Sequence, residues 1–347
     1  MIVKNEEQNL SKCLDSIHDI VNEIVIVDTG STDNTKKIAK KYGAKIFDFT
    51  WNNNFADARN FSLDQSQSKW NLVLDADEYI EKINLVEFNN FLKNEIAIGK
   101  IQINSKFLQE GEERFSRNYV SRLFPRDIRY EGRIHEQLIS ELPRRELEIT
   151  VNHTGYFLNN KASRNIPLLI KELGESPNDP YYLFQLGKEY QINKDFNLSK
   201  KYLDICYQVL KGNEQFYQSA VICYLHTLKY LEEFNRAFLI LNENIERLDK
   251  RSDFHFIKAL LLMDLIFKDT KTYSHLLTEI ESCYLRCIEI GENNSDDIVS
   301  GTGNFMAFYN LGVYYETTNQ FTKALEFYKL SANYKYMPAI KRLEKIK

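Results

Sequence analysis

Glu23-Ile24-Val25-Ile26-Val27-Asp28 is a short, β-branched apolar run that ends on an aspartate and opens into Thr29-Gly30-Ser31-Thr32-Asp33. A continuous apolar run of this length, bounded by turn residues, predicts a strand buried on both faces. The turn residues that follow suit a helix N-terminus. That helix is expected to run through Ile38, Ala39 and Tyr42 and to stop at Gly43. Moving outward, Lys45–Phe49 predicts a second strand, the stretch near Asp57–Asp64 a helix, and Trp70–Leu74 a third strand. Strands interleaved with helices predict an α/β, Rossmann-like domain with a parallel, doubly wound sheet. Ligands of such sheets bind at the carboxyl ends of the strands. Asp28 and the triplet Asp75-Ala76-Asp77 both fall there.

Past residue 160 the strand signals fade and amphipathic helices take over. Leu186-Gly187-Lys188-Glu189-Tyr190 and Leu311-Gly312-Val313-Tyr314-Tyr315 share the pattern L-G-x-x-Y, the first-helix signature of the tetratricopeptide repeat (TPR). After the second copy come Ala324 and Tyr328, with Pro338 near the repeat's end; after the first, Ser199 and Leu203 hold the corresponding places. Tyr217–Ile245 and Phe254–Ile290 have the length of helix pairs without the signature. About four helical hairpins are expected, two clear and two degenerate. The 21 Tyr and 22 Phe of the chain concentrate in this half and predict packing between stacked helices. The expected domains are 1–160 and 161–347, with Asn159–Arg164 as linker and Pro177-Asn178-Asp179-Pro180 introducing the first clear repeat.

Bulk properties narrow the function classes. A chain of 347 residues suggests two domains at roughly 100–200 residues each. A net charge of -4, with no Lys/Arg block, does not point to nucleic acid or a membrane surface. No apolar run approaches the ~18–20 residues of a membrane span. Met1–Glu7 lacks the pattern of a signal peptide. The five cysteines, Cys13, Cys206, Cys223, Cys283 and Cys287, fit no disulfide framework or zinc ribbon and read as buried apolar residues. A cytoplasmic location is expected.

Leu74-Asp75-Ala76-Asp77-Glu78 carries the clearest chemistry. Two carboxylates one residue apart, just after an apolar strand, can share one hard cation such as Mg²⁺ or Mn²⁺. Solvated acids at a strand end are the ordinary alternative. With this D-x-D stand Val25–Asp28, the opening Met1-Ile2-Val3-Lys4-Asn5-Glu6-Glu7, and Trp51-Asn52-Asn53-Asn54-Phe55-Ala56-Asp57-Ala58-Arg59-Asn60. Further on come Ser121-Arg122-Leu123-Phe124-Pro125, Glu131-Gly132-Arg133-Ile134-His135-Glu136 and Asn152-His153-Thr154-Gly155-Tyr156. In this order the motifs resemble the family 2 glycosyltransferases of GT-A fold, over about residues 1–156. One departure concerns the start: relatives carry a fuller first strand, so the strand at Met1–Val3 is expected to be unusually short or to lack a few residues.

The resemblance implies an inverting, metal-dependent transferase that uses a UDP-sugar, UDP-glucose or UDP-N-acetylglucosamine. It implies that Asp28 binds the nucleotide base, with Ser31 and Asp33 beside it, and that Asp75 and Asp77 form the D-x-D motif. Arg59 and Arg122 are expected to supply positive charge to the leaving diphosphate. His135 is expected to contact a phosphate or position its loop, and His153 to be a third metal ligand. Glu136 is the candidate base, with pairing to an arginine as its structural alternative; Glu78 and Glu131 are the fallback carboxylates. The remaining histidines, His18, His226, His255 and His275, read as surface or packing residues.

A GT-A domain followed by tetratricopeptide-like helices is similar to a narrower group that includes the peptide S-glycosyltransferases of bacteriocin biosynthesis, the sublancin type. That likeness implies a peptide or protein acceptor, through cysteine or serine. A cysteine acceptor would ease the demand on the base, because its thiol has a pKa of about 8.5. Cell-surface polysaccharide, lipid-linked sugar and flagellar protein are alternative acceptors. A non-catalytic TPR interaction protein is an alternative of another class, against which the retained Asp28, Asp75 and Asp77 speak. The concave helical face is expected to bind peptide, to form a homodimer or simply to serve as scaffold.

Overall fold

A computed structural model describes residues 1–109, 112–153, 162–292 and 298–346. Part of the expected linker (159–161) and of the His153–Tyr156 motif (154–156) lies outside the described residues. The chain divides into two compact units, Met1–Pro177 and Asn178–Lys347.

The N-terminal unit opens with a three-stranded parallel sheet. Its strands are β1 (Ile2–Val3), β2 (Val25–Asp28) and β3 (Lys45–Asp48), in that order. Helices α1 (Leu10–Ile17) and α2 (Thr35–Lys41) are the crossovers. Ile26 and Val27 are buried, as expected of a strand covered on both faces. The helix stop also falls as expected, with Gly43 in the left-handed conformation just past α2 at φ +67°. Helix α3 (Phe55–Gln65) is started by Asn54, whose side chain accepts from the Asp57 N–H.

From there the sheet is mixed, a departure from the parallel expectation. β4 (Trp70–Leu72) pairs antiparallel with β7 (Glu112–Pro125) instead of extending the parallel set. β5 (Glu78–Ile83), α4 (Leu85–Asn94), β6 (Ile98–Gln109), β8 (Arg129–Glu131), β9 (Gln137–Ile139) and β10 (Arg144–His153) complete the sheet region. Neighbours run β7-β6-β10-β5, while β8 and β9 form a separate antiparallel pair. β7 follows β6 too closely in the chain for a crossover helix to intervene, so the two must run antiparallel. One apolar cluster joins α1 and α4 to the sheet through Leu10, Leu14, Phe88, Ile101, Ile103 and Val151. A second, around Ala56, Leu63, Phe124 and Tyr130, packs α3 beside β7 and β8. Helix α5 (Ala162–Glu175) ends the unit.

Among the described residues the second unit is helical apart from the two-residue strand β11 (Ile298–Val299) and a 3₁₀ turn. Four hairpins follow one another. They are α6 (Pro180–Ile192) with α7 (Phe196–Val209), α8 (Tyr217–Tyr230) with α9 (Phe234–Leu248), α10 (Ser252–Lys268) with α12 (Leu277–Ile290), and α13 (Phe305–Thr317) with α14 (Phe321–Ala332). The short α11 (Thr270–Tyr273) interrupts the third, and α15 (Met337–Ile346) closes the series. Pro180 is the first residue of α6, capped by Asp179, which accepts from the N–H groups of Tyr181 and Tyr182.

The signature glycines bring paired helices close. A Cβ on Gly187 would stand 2.5 Å from Leu203 Cγ, and one on Gly312 2.5 Å from the Tyr328 ring. Ser199 and Ala324 are buried at matching positions. Three hairpin turns also share a left-handed residue: Lys194, Glu232 and Asn319, with φ of 61°, 55° and 60°. Thus α8–α9 turns like α6–α7 and α13–α14 although it lacks their signature. All five cysteines are free and buried. Among the described residues no helix is long and apolar enough to cross a membrane.

Candidate active site

Asp28 is the last residue of β2, at the carboxyl end of the parallel sheet. Its Oδ1 accepts from the N–H groups of Gly30 (2.9 Å) and Ser31 (2.8 Å), and Lys36 Nζ lies 3.8 Å away. Burial pushes its carboxyl up, but those hydrogen bonds and the lysine outweigh burial and hold it below the ordinary value. Oδ2 is buried and makes no hydrogen bond among the described residues. Ser31 and Asp33, expected at the nucleotide, face the N-terminal loop. Ser31 Oγ accepts from the Asn5 N–H (2.9 Å), and Asp33 Oδ2 from the Glu7 N–H (3.1 Å). Asn34 N–H and Nδ2 in turn donate to Glu7 Oε2. The Lys4–Glu7 segment is thereby fastened across the Asp28 turn.

The D-x-D segment fills the loop between β4 and β5, and its two acids face different partners. Asp75 receives a guanidinium on each oxygen: Arg59 Nη2 on Oδ1 at 2.9 Å and Arg122 Nη2 on Oδ2 at 3.2 Å. Arg122 Nη2 also donates to Glu78 Oε1 at 2.8 Å, and Glu78 Oε2 accepts the Asp75 N–H at 2.9 Å. Arg59 reaches Glu136 through Nε. Burial raises the Asp75 carboxyl, but the two arginines overcome it and hold Asp75 far below the usual carboxylate range. Glu78 goes the other way, because burial outweighs the pull of Arg122. Arg59 Nη1 and Arg122 Nε are buried and make no hydrogen bond among the described residues.

Asp77 turns toward His153, whose Nε2 lies 3.2 Å from its Oδ2. His153 ends β10 in register with Glu78 of β5 and Ser105 of β6, and its Nδ1 stands 3.3 Å from Ser105 Oγ. Among the described residues no three His, Cys, Asp or Glu side chains converge as a complete metal cage. A divalent cation on a nucleotide diphosphate needs less: one or two protein ligands, with phosphate oxygens and water filling the rest. Asp77 and His153 fit that requirement as a carboxylate–imidazole pair, with Ser105 placed to fix the imidazole. Asp75 has both oxygens on arginines.

Several residues behind the cluster escaped the sequence reading. Asn60 follows Arg59 on α3 and clamps the Tyr130 backbone, donating to its C=O and accepting from its N–H, both at 2.9 Å. Phe55 N–H donates to the Arg133 C=O at 2.8 Å, and Glu172 Oε1 accepts the Arg133 N–H at 2.6 Å. These contacts tie the 132–136 loop to both α3 and α5. His135 sits in that loop with φ +52°, its C=O accepting from Gln137 Nε2. Tyr130 lies near the Arg59 guanidinium, and burial pushes its phenol up to about 12. Cys13 packs beneath the loop, its Sγ 3.6 Å from the Asp75 C=O, and burial pushes its thiol up to about 12. Of the fallback carboxylates, Glu78 is locked between Arg122 and backbone, and Glu131 is exposed.

Fold and site together define a Rossmann-like α/β unit with a charged strand-end site, followed by a TPR-like all-α unit. Residues 1–144 match the glycosyl transferase family 2 domain. The chain therefore carries an N-terminal family 2, GT-A-like glycosyltransferase domain ahead of a TPR-like helical region. A TPR repeat-containing protein of Synechococcus elongatus is 30% identical over 221 residues, covering 58% of this chain and 54% of that protein. The SPbeta prophage-derived glycosyltransferase SunS of Bacillus subtilis is 27% identical over 307 residues, covering 84% of this chain and 64% of SunS. The chain thus spans between half and two thirds of the length of these relatives. Among solved structures, a thermophilic TPR protein of Thermus thermophilus is 13% identical, with a TM-score of 0.40, over 53% of this chain and 90% of that one.

Proposed function

We propose that the N-terminal unit transfers a hexose from a UDP-sugar, UDP-glucose or UDP-N-acetylglucosamine, to a peptide acceptor, with inversion at the anomeric carbon. The observation that carries this reading is the pair of buried arginines with unused N–H donors, set beside Asp77 and His153. Unsatisfied buried guanidinium donors are costly and suit an anion with several acceptor oxygens. Asp28 Oδ2, buried without a hydrogen bond, suits an N–H donor of the nucleotide base.

Asp77 and His153 would hold a Mg²⁺ or Mn²⁺ ion, which when bound helps neutralise the leaving diphosphate. Arg59 and Arg122 stabilise the same group from the protein side. The acceptor heteroatom bonds to the anomeric carbon as the bond from that carbon to the diphosphate oxygen breaks. The acceptor's proton passes to Glu136, and the electron pair of the broken bond leaves with UDP. His135, left-handed in the same loop, would contact a phosphate or position that loop.

The two-part layout, which resembles the sublancin-type peptide S-glycosyltransferases, favours a peptide acceptor, and a cysteine thiol is the acceptor that asks least of the base. The domain boundary near residue 160, the cytoplasmic location and homodimerisation through the helical unit belong to the same proposal. Mass spectrometry of cysteine- and serine-bearing peptides, each incubated with a panel of UDP-sugars and Mn²⁺, tests it. A hexose or N-acetylhexosamine mass increment on peptide is expected. UDP-sugar turnover confined to polysaccharide or lipid acceptors would move the acceptor assignment. Calorimetry showing no UDP-sugar binding would favour a non-catalytic interaction protein.

A further inference from the structure

Arg59 joins two acids, Asp75 and Glu136, of which the proposed reaction uses Glu136 as its base. Its Nη2 holds Asp75, its Nε holds Glu136, and its Nη1 is buried without a hydrogen bond. The two acids are not equally secured. Asp75 has Arg122 as a second partner, and its own N–H is fixed by Glu78. Glu136 stands on the loop between Arg133 and β9, and its ion pair is with Arg59.

We propose that Arg59 is a positioning residue that holds Glu136 in an ion pair until a nucleotide diphosphate arrives, so that donor loading releases Glu136 toward the acceptor. The inference rests on the glycosyltransferase reading above and adds an order of events to it. Two guanidinium groups face three carboxylates in this cluster, Asp75, Glu78 and Glu136. A diphosphate brings more charge and more acceptor oxygens than one carboxylate, and guanidinium matches it bidentately. An incoming diphosphate therefore competes for Arg59, and the acid with the least other support yields. Glu136 is that acid. While paired, its carboxylate is engaged by Arg59, and once displaced it is free to turn toward an acceptor. The device makes the base available when there is a leaving group to expel.

Calorimetric titration of UDP with Mn²⁺ into the full chain tests the coupling, using the parent, Glu136→Gln, Arg59→Lys and the double variant. Gln is isosteric with Glu but carries no charge to displace. Glu136→Gln should bind UDP about tenfold more tightly than the parent, because binding no longer breaks an ion pair. Arg59→Lys should bind more weakly, and adding Glu136→Gln to it should recover little, since the partner that links the two is gone. A Glu136 that merely supports the loop predicts equal or weaker binding in Glu136→Gln, and either result overturns the proposal. A parent chain that binds no UDP would instead overturn the glycosyltransferase reading, and this inference with it.

Discussion

Both units bury an arginine against carboxylates, and they do it in opposite ways. In the helical unit Arg251 gives Nε and Nη2 to the two oxygens of Asp253, at 2.9 and 2.6 Å, and Nη1 to Gln218 Oε1 at 2.7 Å. Each guanidinium nitrogen has a partner, and both residues of the pair are buried. In the N-terminal unit Arg59 and Arg122 are somewhat less buried, and each keeps a buried nitrogen without a hydrogen bond among the described residues. A closed pair satisfies itself and holds a fold. An open one carries a desolvation cost that a further acceptor relieves, and an anion does so most strongly. The difference is a way to tell a structural ion pair from one built for a ligand.

The comparison is broken most severely at Asp77. If the open arginines and the Asp77–His153 pair together serve a diphosphate and its cation, Asp77→Ala should abolish transfer and weaken UDP binding in Mn²⁺. Circular dichroism should be unchanged, because Asp77 lies in a strand-end loop outside the apolar clusters. Full activity of the parent in EDTA would remove the cation from the scheme.

Glu136→Gln comes next. Loss of a general base typically costs about 10²–10⁴-fold in turnover. With a cysteine peptide, raising the pH toward the thiol pKa of about 8.5 should restore part of the rate, since solvent then supplies thiolate. With a serine peptide no restoration is expected below about pH 10, because the hydroxyl keeps its proton. Equal turnover of variant and parent at neutral pH on both peptides would take Glu136 out of the mechanism.

Much of this was legible before the structure, and what was not has physical causes. The strand-end acids and the repeat signature are local patterns, readable wherever a period or a turn marks them. Arg59, Asp75, Arg122 and Glu136 read as separate candidates, and folding brings them into one cluster. Nothing in a window of ten residues says that Asn60 will clamp Tyr130, 70 positions away. The antiparallel placement of β4 on β7 was likewise hidden, because β7 lies some 50 residues downstream and its pairing is not local. Ser31 and Asp33 have the right chemistry for a nucleotide, and folding also sets them against the backbone N–H groups of Asn5 and Glu7, which their own window does not announce. The α8–α9 hairpin shows the converse: its signature is gone while the left-handed Glu232 keeps the repeat's turn.

The closed pair supplies the third test. Arg251→Ala leaves Asp253 buried and unpaired, and breaking such a pair costs about 3–5 kcal/mol. Urea unfolding should show that loss. In the still-folded fraction UDP affinity should match the parent, whereas Arg122→Ala should reduce it. A variant of Arg251 that loses nucleotide binding while remaining folded would erase the distinction between closed and open arginines.

The smallest effect sharpens the account of the helical unit. Gly187 and Gly312 occupy the same repeat position, and a Cβ on either meets a side chain at 2.5 Å. The neighbours differ in how readily they give way. Leu203 is an aliphatic side chain that can change rotamer. Tyr328 is a buried ring whose hydroxyl donates to Glu316 Oε2 at 2.6 Å, and Arg342 Nε donates to the same oxygen at 2.9 Å. Moving the ring therefore strains a hydrogen-bonded group as well as a packed one. Replacing a helical glycine by alanine gains roughly 1 kcal/mol of helix propensity, while overpacking a core costs about 1–3 kcal/mol. Gly187→Ala should then come out within about 1 kcal/mol of the parent, as these two contributions largely cancel. Gly312→Ala should be less stable than Gly187→Ala by about 1–2 kcal/mol, because the tyrosine yields less. Adding Tyr328→Leu to Gly312→Ala should narrow the gap, once that double variant is compared with Tyr328→Leu alone in urea unfolding. Equal losses at both glycines would mean that the neighbouring side chain does not set the cost, and that the spacing of the helix backbones does.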